Sequence, residues 1–363
     1  DMLKEETWTR ATISNYTKNN LMELAAIVER AHNENCANEI QAICNEQLAN
    51  TKDSIIALYI SGMISLKNGT LDNSALVTLV DIFQKNMKES IVEYLCQSIL
   101  DDDPNNKFAL RTLAEYYRSI NDEKVWELYN QIVKLDFEEA DLAKALAEHY
   151  EQQGDSETSI EYYKKAILRY VNIKNLNATK ELWSKLVQII PHEIDFFQLV
   201  KRKIAKTIGE SKTDVLLQEL YNWYKDNKKW DIAIELIKEL LTIDSHDSWA
   251  RKEIVDCFRG KYEGHSHLED YIRSSNLTQS FRNVFEAIND FEKHIAFDVR
   301  NYVFHRSWGT GVITEINDSQ VDAHNLVHPS SQYLVHPSPQ DSVQLLSQEL
   351  PQDNSQLIVH PGQ

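Results

Sequence analysis

Cysteine is rare in this chain: Cys36, Cys44, Cys96 and Cys257 are the only four in 363 residues, and none are spaced as CxxC. All four sit on helical patterns, so a reducing compartment is the simple reading. No apolar run is long enough to span a bilayer. No secretory leader is legible in a chain that starts at Asp1 rather than Met. The expectation is a cytoplasmic protein with no membrane partner, in which Asn-x-Ser/Thr triplets such as Asn177-Ala178-Thr179 are chance. Basic residues are in deficit, 38 Lys and Arg against 56 Asp and Glu, for a net charge of −18. A wide nucleic-acid footprint needs clustered Lys and Arg and is excluded. The overall charge favours partners that are basic or locally basic. Serine elbow, phosphate-cradling glycine loop and HExxH are all missing. The chain is therefore expected to be no enzyme and to take no cofactor, metal or small-molecule substrate. His265-Ser266-His267 and the scattered His324, His328, His336 and His360 match no defined metal spacing. The run Asp101-Asp102-Asp103 reads as a solvated cap before Pro104.

What the chain does contain is a repeat. Leu110-Arg-Thr-Leu113-Ala114-Glu-Tyr116-Tyr117 returns as Ala143-Lys-Ala-Leu146-Ala147-Glu-His-Tyr150 and as Leu217-Gln-Glu-Leu220-Tyr221-Asn-Trp-Tyr224. The spacing puts one apolar stripe along a helix. A second amphipathic stretch follows each: Val125, Tyr129 and Ile132, then Tyr163 and Ala166, then Ala233, Ile237 and Leu240. Helix hairpins recurring at about 34 residues are the signature of a tetratricopeptide-like array. One hairpin cannot bury its apolar face alone, so neighbours stack into a solenoid.

Around these units the pattern predicts helices near 5–17, 20–33, 38–49, 53–67, 72–86 and 88–101. Asp53 and Asp72 are candidate caps, and Asn68-Gly69 is a turn. Two helices split at Pro191 carry Leu182, Leu186 and Ile189, then Phe197, Val200 and Ile204. A last helix near 279–294 is expected to bury Phe281, Phe285, Ile288 and Phe291. Only Pro104 and Pro191 precede residue 320, and no Lys or Arg follows Arg306. The chain changes character near Asp318. After it come Gln, Ser and Pro, with the echo Leu326-Val-His-Pro, Leu334-Val-His-Pro and Ile358-Val-His-Pro, a composition expected to have low order.

At residue 300 the period switches to that of strands. Tyr302–His305 and Val312–Ile316 are joined through Gly309-Thr310-Gly311, the pattern of a β-hairpin. The motif Tyr-Val-Phe-His-Arg-Ser-Trp-Gly-Thr-Gly-Val-Ile at 302–313 resembles the opening hairpin of the small Tudor-like barrel of CarD-type RNA-polymerase-binding proteins. Helical array and hairpin together resemble the long amino-terminal extension of the fused GreA-type transcription elongation factors of spirochaetes. The resemblance implies RNA polymerase or its associated proteins as partner. It makes His305, Trp308, Gly309 and Gly311 the matching positions. In Gre factors acidic residues at a coiled-coil tip deliver a metal ion to the polymerase, and this chain has no such coiled coil. The resemblance therefore implies a non-catalytic part.

In tetratricopeptide arrays the first helix of each hairpin lines the groove. The corresponding positions are Phe108, Arg111, Glu115 and Arg118, then Asp141, Lys144, Glu148 and Glu151, then Val215, Gln218, Asn222 and Lys225. Their mixed charge argues against the carboxylate-clamp class, since Glu148 stands where that class presents Asn. Such a groove takes a peptide or helix from a protein partner; a general peptide-binding scaffold unrelated to transcription is the alternative. The fold expected is an all-α solenoid: helical hairpins over 1–103, tetratricopeptide-like repeats over 104–295, a β-hairpin over 299–318 and a low-order tail over 319–363.

Overall fold

The computed structural model describes residues 10–70, 72–298, 301–305, 309–317, 320–325 and 332–335. In chain order these form α1 (Arg10–Asn15), α2 (Lys18–Asn33), α3 (Ala37–Asn50), α4 (Ile55–Lys67), α5 (Ser74–Lys85) and α6 (Glu89–Asp102). Next come α7 (Lys107–Ser119), α8 (Lys124–Leu135), α9 (Ala140–Gln152), α10 (Ser156–Asn172), α11 (Leu176–Ile189) and α12 (Ile194–Thr207). A short 3-10 helix (Glu210–Lys212) precedes α13 (Asp214–Asp226), α14 (Trp230–Ile243), α15 (Ser248–Lys261), α16 (Leu268–Ser275) and α17 (Val284–Ala296). Strands β1 (Tyr302–His305), β2 (Gly309–Asn317), β3 (Gln320–Asn325) and β4 (Gln332–Val335) follow. The expected α-solenoid architecture with a C-terminal hairpin is what the chain forms.

Two compact units divide the chain. The first comprises Asp1–Leu186 with Gln198–Lys203, the second Val187–Phe197 with Ile204–Gln363.

In the first unit α4 is buried on every side from Ile55 to Ile64 and packs against α2, α3, α5 and α6. A helix apolar all round has no solvent face to offer. Its approach to α5 depends on Gly62, where a Cβ would stand 2.6 Å from Leu76 Cδ2. The cap of α4 is Ser54 rather than the expected Asp53: buried Ser54 Oγ accepts from Ala57 N at 3.3 Å. An uncharged hydroxyl suits a buried helix start better than a carboxylate. Asp72 does accept from Ser74 N at 2.9 Å, though Asn73 holds the cap position of α5.

The repeat reappears in three dimensions as hairpins α7–α8 and α9–α10 in the first unit and α13–α14 in the second. Leu110, Leu113, Ala114 and Tyr117 are buried, as are Ala143, Leu146 and Ala147, and Leu217, Leu220, Tyr221 and Tyr224. Fully burying each leucine contributes about 1.5–3 kcal/mol. Tyr150 alone is half-buried, stacked on Tyr162 at 5.7 Å.

The aromatic that ends each repeat motif also sets the turn. Asp122 N donates to Tyr117 O, Asp155 N to Tyr150 O and Lys229 N to Tyr224 O, each at 2.9 Å. The residue between cap and donor is left-handed in all three, Asn121 at φ 54°, Gly154 at 80° and Lys228 at 55°. This is the six-to-one hydrogen bond of a Schellman motif, and it makes each hairpin reverse at the same phase of its stripe.

In the second unit Phe258 stacks on Phe291 at 4.2 Å, and Ile288 is buried beside them. The last helix begins later than expected. Asn283 caps it, accepting from Phe285 N at 2.9 Å and Glu286 N at 3.2 Å. Phe281 therefore lies outside the helix and is 80% exposed, and Phe285 is 41% exposed. Ile189 likewise points outward, while Trp183, Val187 and Ile190 are buried.

The sheet is antiparallel in the order β1-β2-β3-β4. His305 pairs with Gly309 and Val303 with Gly311 in the expected hairpin. Pairing continues past residue 319, where a low-order tail was expected: β3 pairs with β2, with a bulge between Ile313 and Glu315, and β4 pairs with β3. A ladder is made by backbone N–H and C=O groups, so Gln-rich composition does not forbid it. His324 falls in β3, while His328, His336, His360 and the rest of the expected tail from residue 336 lie outside the described residues.

Candidate functional site

The groove positions fall on α7, α9 and α13, as the repeat requires. Phe108 is half-buried at the start of α7, and Glu115 and Arg118 are exposed further along it. Three of the four cations among the groove residues, Arg111, Lys144 and Lys225, are engaged within the chain. Arg111 reaches Asp136 at 3.2 Å and also Glu139, both in the turn leading to α9. Lys144 on α9 meets Glu181 on α11 at 2.6 Å and Glu148, one turn on, at 3.9 Å. Lys225 on α13 is bonded to Glu253 on α15, and Tyr221 Oη donates to the same carboxylate at 2.6 Å. Lys185 on α11 returns to Glu151 on α9 at 2.7 Å. The first helices of successive hairpins are thus tied to one another by charge across the face read as a groove.

These pairs leave electrostatic traces. The hydrogen bond from Lys185, then that from Tyr163, holds the Glu151 carboxyl below its ordinary range. Burial pushes the Tyr163 hydroxyl up to about 12. For Lys225, burial works against the charged form, but bonding to Glu253 outweighs it and the ammonium titrates above its usual value. Pairs this exposed contribute little apiece, on the order of 0–1 kcal/mol. Their effect is to fix register between neighbouring hairpins. Arg118, Gln218 and Asn222 carry no side-chain bond among the described residues, and Val215 is 60% exposed. Those are the groove positions open to a partner. Asp141 is exposed and accepts from Tyr170 Oη at 2.5 Å.

At the sheet, Gly311 is buried and Ile313 fully so. Ile313 N donates to Asn301 O at 2.9 Å. Asn301 Nδ2 in turn donates to Ile295 O at 2.7 Å and Ala296 O at 3.2 Å, the last carbonyls of α17. The hairpin therefore grows from a capped helix end. Gly309 and His305 share one register position, and Trp308 lies outside the described residues. The pair His265-Ser266-His267 lies in a loop where His265 Nε2 sits 2.6 Å from buried Asp298. No three His, Cys, Asp or Glu side chains among the described residues gather as a metal site, and among them no helix is long and apolar enough to cross a membrane.

Two residues escaped the sequence reading. Arg169 is buried on α10 and donates to the carbonyls of Val133 at 2.8 Å, Asp136 at 3.0 Å and Glu139 at 3.0 Å. Arg251 on α15, also buried, donates to those of Ser245, Leu277, Gln279 and Arg282. Burial pulls both guanidiniums below their ordinary pKa. Each binds loop backbone rather than a carboxylate, satisfying carbonyls that end a helix or cross a turn. The signal was present: each arginine falls on the apolar stripe of its helix, Arg169 three residues after Ala166 and Arg251 three before Ile254.

No family model matches the chain. It is 45% identical over 306 residues to a putative GreA-associated domains protein of Treponema pallidum, covering 84% of this chain and 46% of that one. It is 32% identical over 321 residues to the transcription elongation factor GreA of Borreliella burgdorferi, covering 88% of this chain and 35% of that one. The chain spans less than half the length of either relative. The resemblance to spirochaete GreA-type proteins is borne out. Among solved structures the chain is similar to the MamA protein, at 16% identity and a TM-score of 0.25 over 65% of this chain and 97% of that one. At that score the likeness bears no weight, and the hairpin architecture stands on the helices themselves.

Proposed function

We propose that the chain is a non-catalytic interaction region of a GreA-like bacterial elongation factor that contacts RNA polymerase or its associated proteins in the cytoplasm. The observation that carries this is its 32% identity, along 88% of its length, to a protein named transcription elongation factor GreA. In this reading the hairpins are a scaffold, and the segment containing His305, Trp308, Gly309 and Gly311 makes the polymerase contact. The divisions 1–103, 104–295, 299–318 and 319–363 are the corresponding functional parts. Retention of core polymerase subunits by the intact chain, compared with Trp308→Ala, tests it. The intact chain is expected to retain polymerase and the variant to retain less. Retention by neither ends the proposal.

Peptide binding on the first helices within each unit is the second reading, favoured by the open side chain of Arg118 in the first unit and by those of Gln218 and Asn222 in the second. Phe108 would add an apolar contact. Charge reversal at Arg111 or Lys144 tests it poorly, because each would also break a pair between hairpins. Arg118→Glu in the first unit and, separately, Asn222→Lys in the second leave those pairs intact, and each is expected to weaken capture of a ligand by the face of its own unit; unchanged capture in both variants excludes these faces.

A further inference from the structure

The turn from α13 to α14 and the C-terminal ends of α15 and α17 enclose a cleft of about 610 Å³ within the second unit. Trp230, Ile232, Tyr262 and Ile295 form its apolar wall, and His265 and Asn301 line it as well. The Trp230 indole lies directly on the backbone of Gly260, where a Cβ would stand 2.4 Å from the ring. That wall is built around a glycine and has a definite shape. The carboxylates beside the cleft are already matched: Asp231 by Lys261 at 2.6 Å and Glu292 by Lys238 at 2.8 Å. Lys228 and Lys229 also line it, both exposed, and among the described residues neither ammonium has a partner. Lys228 moreover occupies the left-handed turn position, φ 55°, that Asn121 and Gly154 fill in the equivalent hairpins. That backbone favours glycine, and Lys174 adopts it as well in the turn after α10, at φ 60°.

We propose that this cleft binds an acidic peptide segment of a protein partner. An apolar side chain of that segment inserts between Trp230, Tyr262 and Ile295, and flanking carboxylates meet Lys228 and Lys229. The net charge of −18 favours basic partners over most of the surface; two unmatched ammoniums beside an apolar hollow make a local exception, complementary to an acidic ligand. The proposal rests on the chain being a protein-interaction region, not on the partner being RNA polymerase.

The test is fluorescence anisotropy with the full chain and labelled synthetic peptides, each placing one Phe, Leu or Trp among Asp and Glu residues. The same peptides with Asn and Gln replacing the acids serve as controls. Acidic members are expected to bind more tightly than their amide counterparts, and binding should weaken with added salt. In the double variant Lys228→Gly, Lys229→Gln the affinity is expected to fall about tenfold. Lys228→Gly relieves the left-handed strain, so an undiminished melting temperature separates lost binding from lost folding. Absence of binding by every acidic peptide, or equal binding by the double variant, overturns the proposal. Trp308→Ala is expected to leave peptide binding intact, so polymerase retention failing alone counts against the polymerase reading and not against the cleft.

Discussion

Replacing Arg169 by leucine is the sharpest probe of how this array is held together. The side chain is 8% exposed and its guanidinium binds three backbone carbonyls, those of Val133, Asp136 and Glu139. These join the end of α8 to the start of α9, so one residue of α10 fixes the junction between two hairpins. A hydrogen bond from a charged donor contributes about 1.5–3 kcal/mol net, which puts the ceiling for three at about 9 kcal/mol. Two effects lower it. The guanidinium is desolvated, as its depressed pKa records, and Arg169→Leu removes that cost. The junction is also partly open, with Phe137 75% exposed, so water can reach some of the freed carbonyls. Leucine keeps most of the aliphatic stem's packing. The expected net loss is about 3–5 kcal/mol, from carbonyls left short of a donor at about 1–3 kcal/mol each. Urea unfolding followed by far-ultraviolet circular dichroism measures it through the midpoint and slope. Arg118→Leu, on an exposed face, is the control and should change stability by less than about 0.5 kcal/mol. A loss below about 1 kcal/mol for Arg169→Leu would refute the reasoning, because it would mean the carbonyls are equally well served by water.

Leu146→Ala, at a fully buried stripe position, should destabilise by about 2–5 kcal/mol in the same titration; a loss typical of surface sites would place the stripe on the wrong side of α9. Burial pushes the Cys44 thiol up to about 11 and the Cys96 thiol up to about 12, and Cys257 is also buried and raised. Half-buried Cys36 should therefore be the one thiol that reacts promptly with Ellman's reagent at pH 8 in the folded protein, and the other three only on unfolding. Acid should unfold the protein through depressed carboxylates: Glu29 is held down by Lys67, Glu151 by Lys185, and Glu269 by Arg259. Their contribution is present above the unfolded value of about 4.3 and is lost as pH falls through the lower folded values. A urea midpoint that does not fall below that pH would count against these pairs. Alkali acts with the opposite sign on Tyr117, Tyr163 and Tyr271, each raised to about 12 first by burial. Their contribution is complete below about pH 10 and is lost as pH rises through the folded values.

Most of the helices were legible because the information for them is local. The expected helix at 53–67 is Ile55–Lys67 and that at 88–101 is Glu89–Asp102. The boundary errors come from capping competition between neighbours of similar chemistry. Ser54 displaces Asp53 because the site is buried, and Asn283 starts α17 late enough to leave Phe281 in solvent. The groove was legible as positions but not as availability. Arg111, Lys144 and Lys225 lie where the repeat puts them, yet each is occupied by a carboxylate 25 to 37 residues away. No pattern within one helix encodes such a pairing.

By itself the amino-acid order determined what depends on neighbours along the chain: a stripe at helical period, an aromatic closing each stripe, and so an array of helix hairpins. Tertiary structure decided which charges are spent and which are free. It buried Arg169 and Arg251 against loop carbonyls, matched Asp231 and Glu292 with lysines, and left Lys228 and Lys229 beside an apolar hollow. The reason is physical. Helix periodicity and capping act over a few residues, whereas an ion pair or a cleft wall needs atoms from distant helices within a few ångströms, and only packing sets those distances.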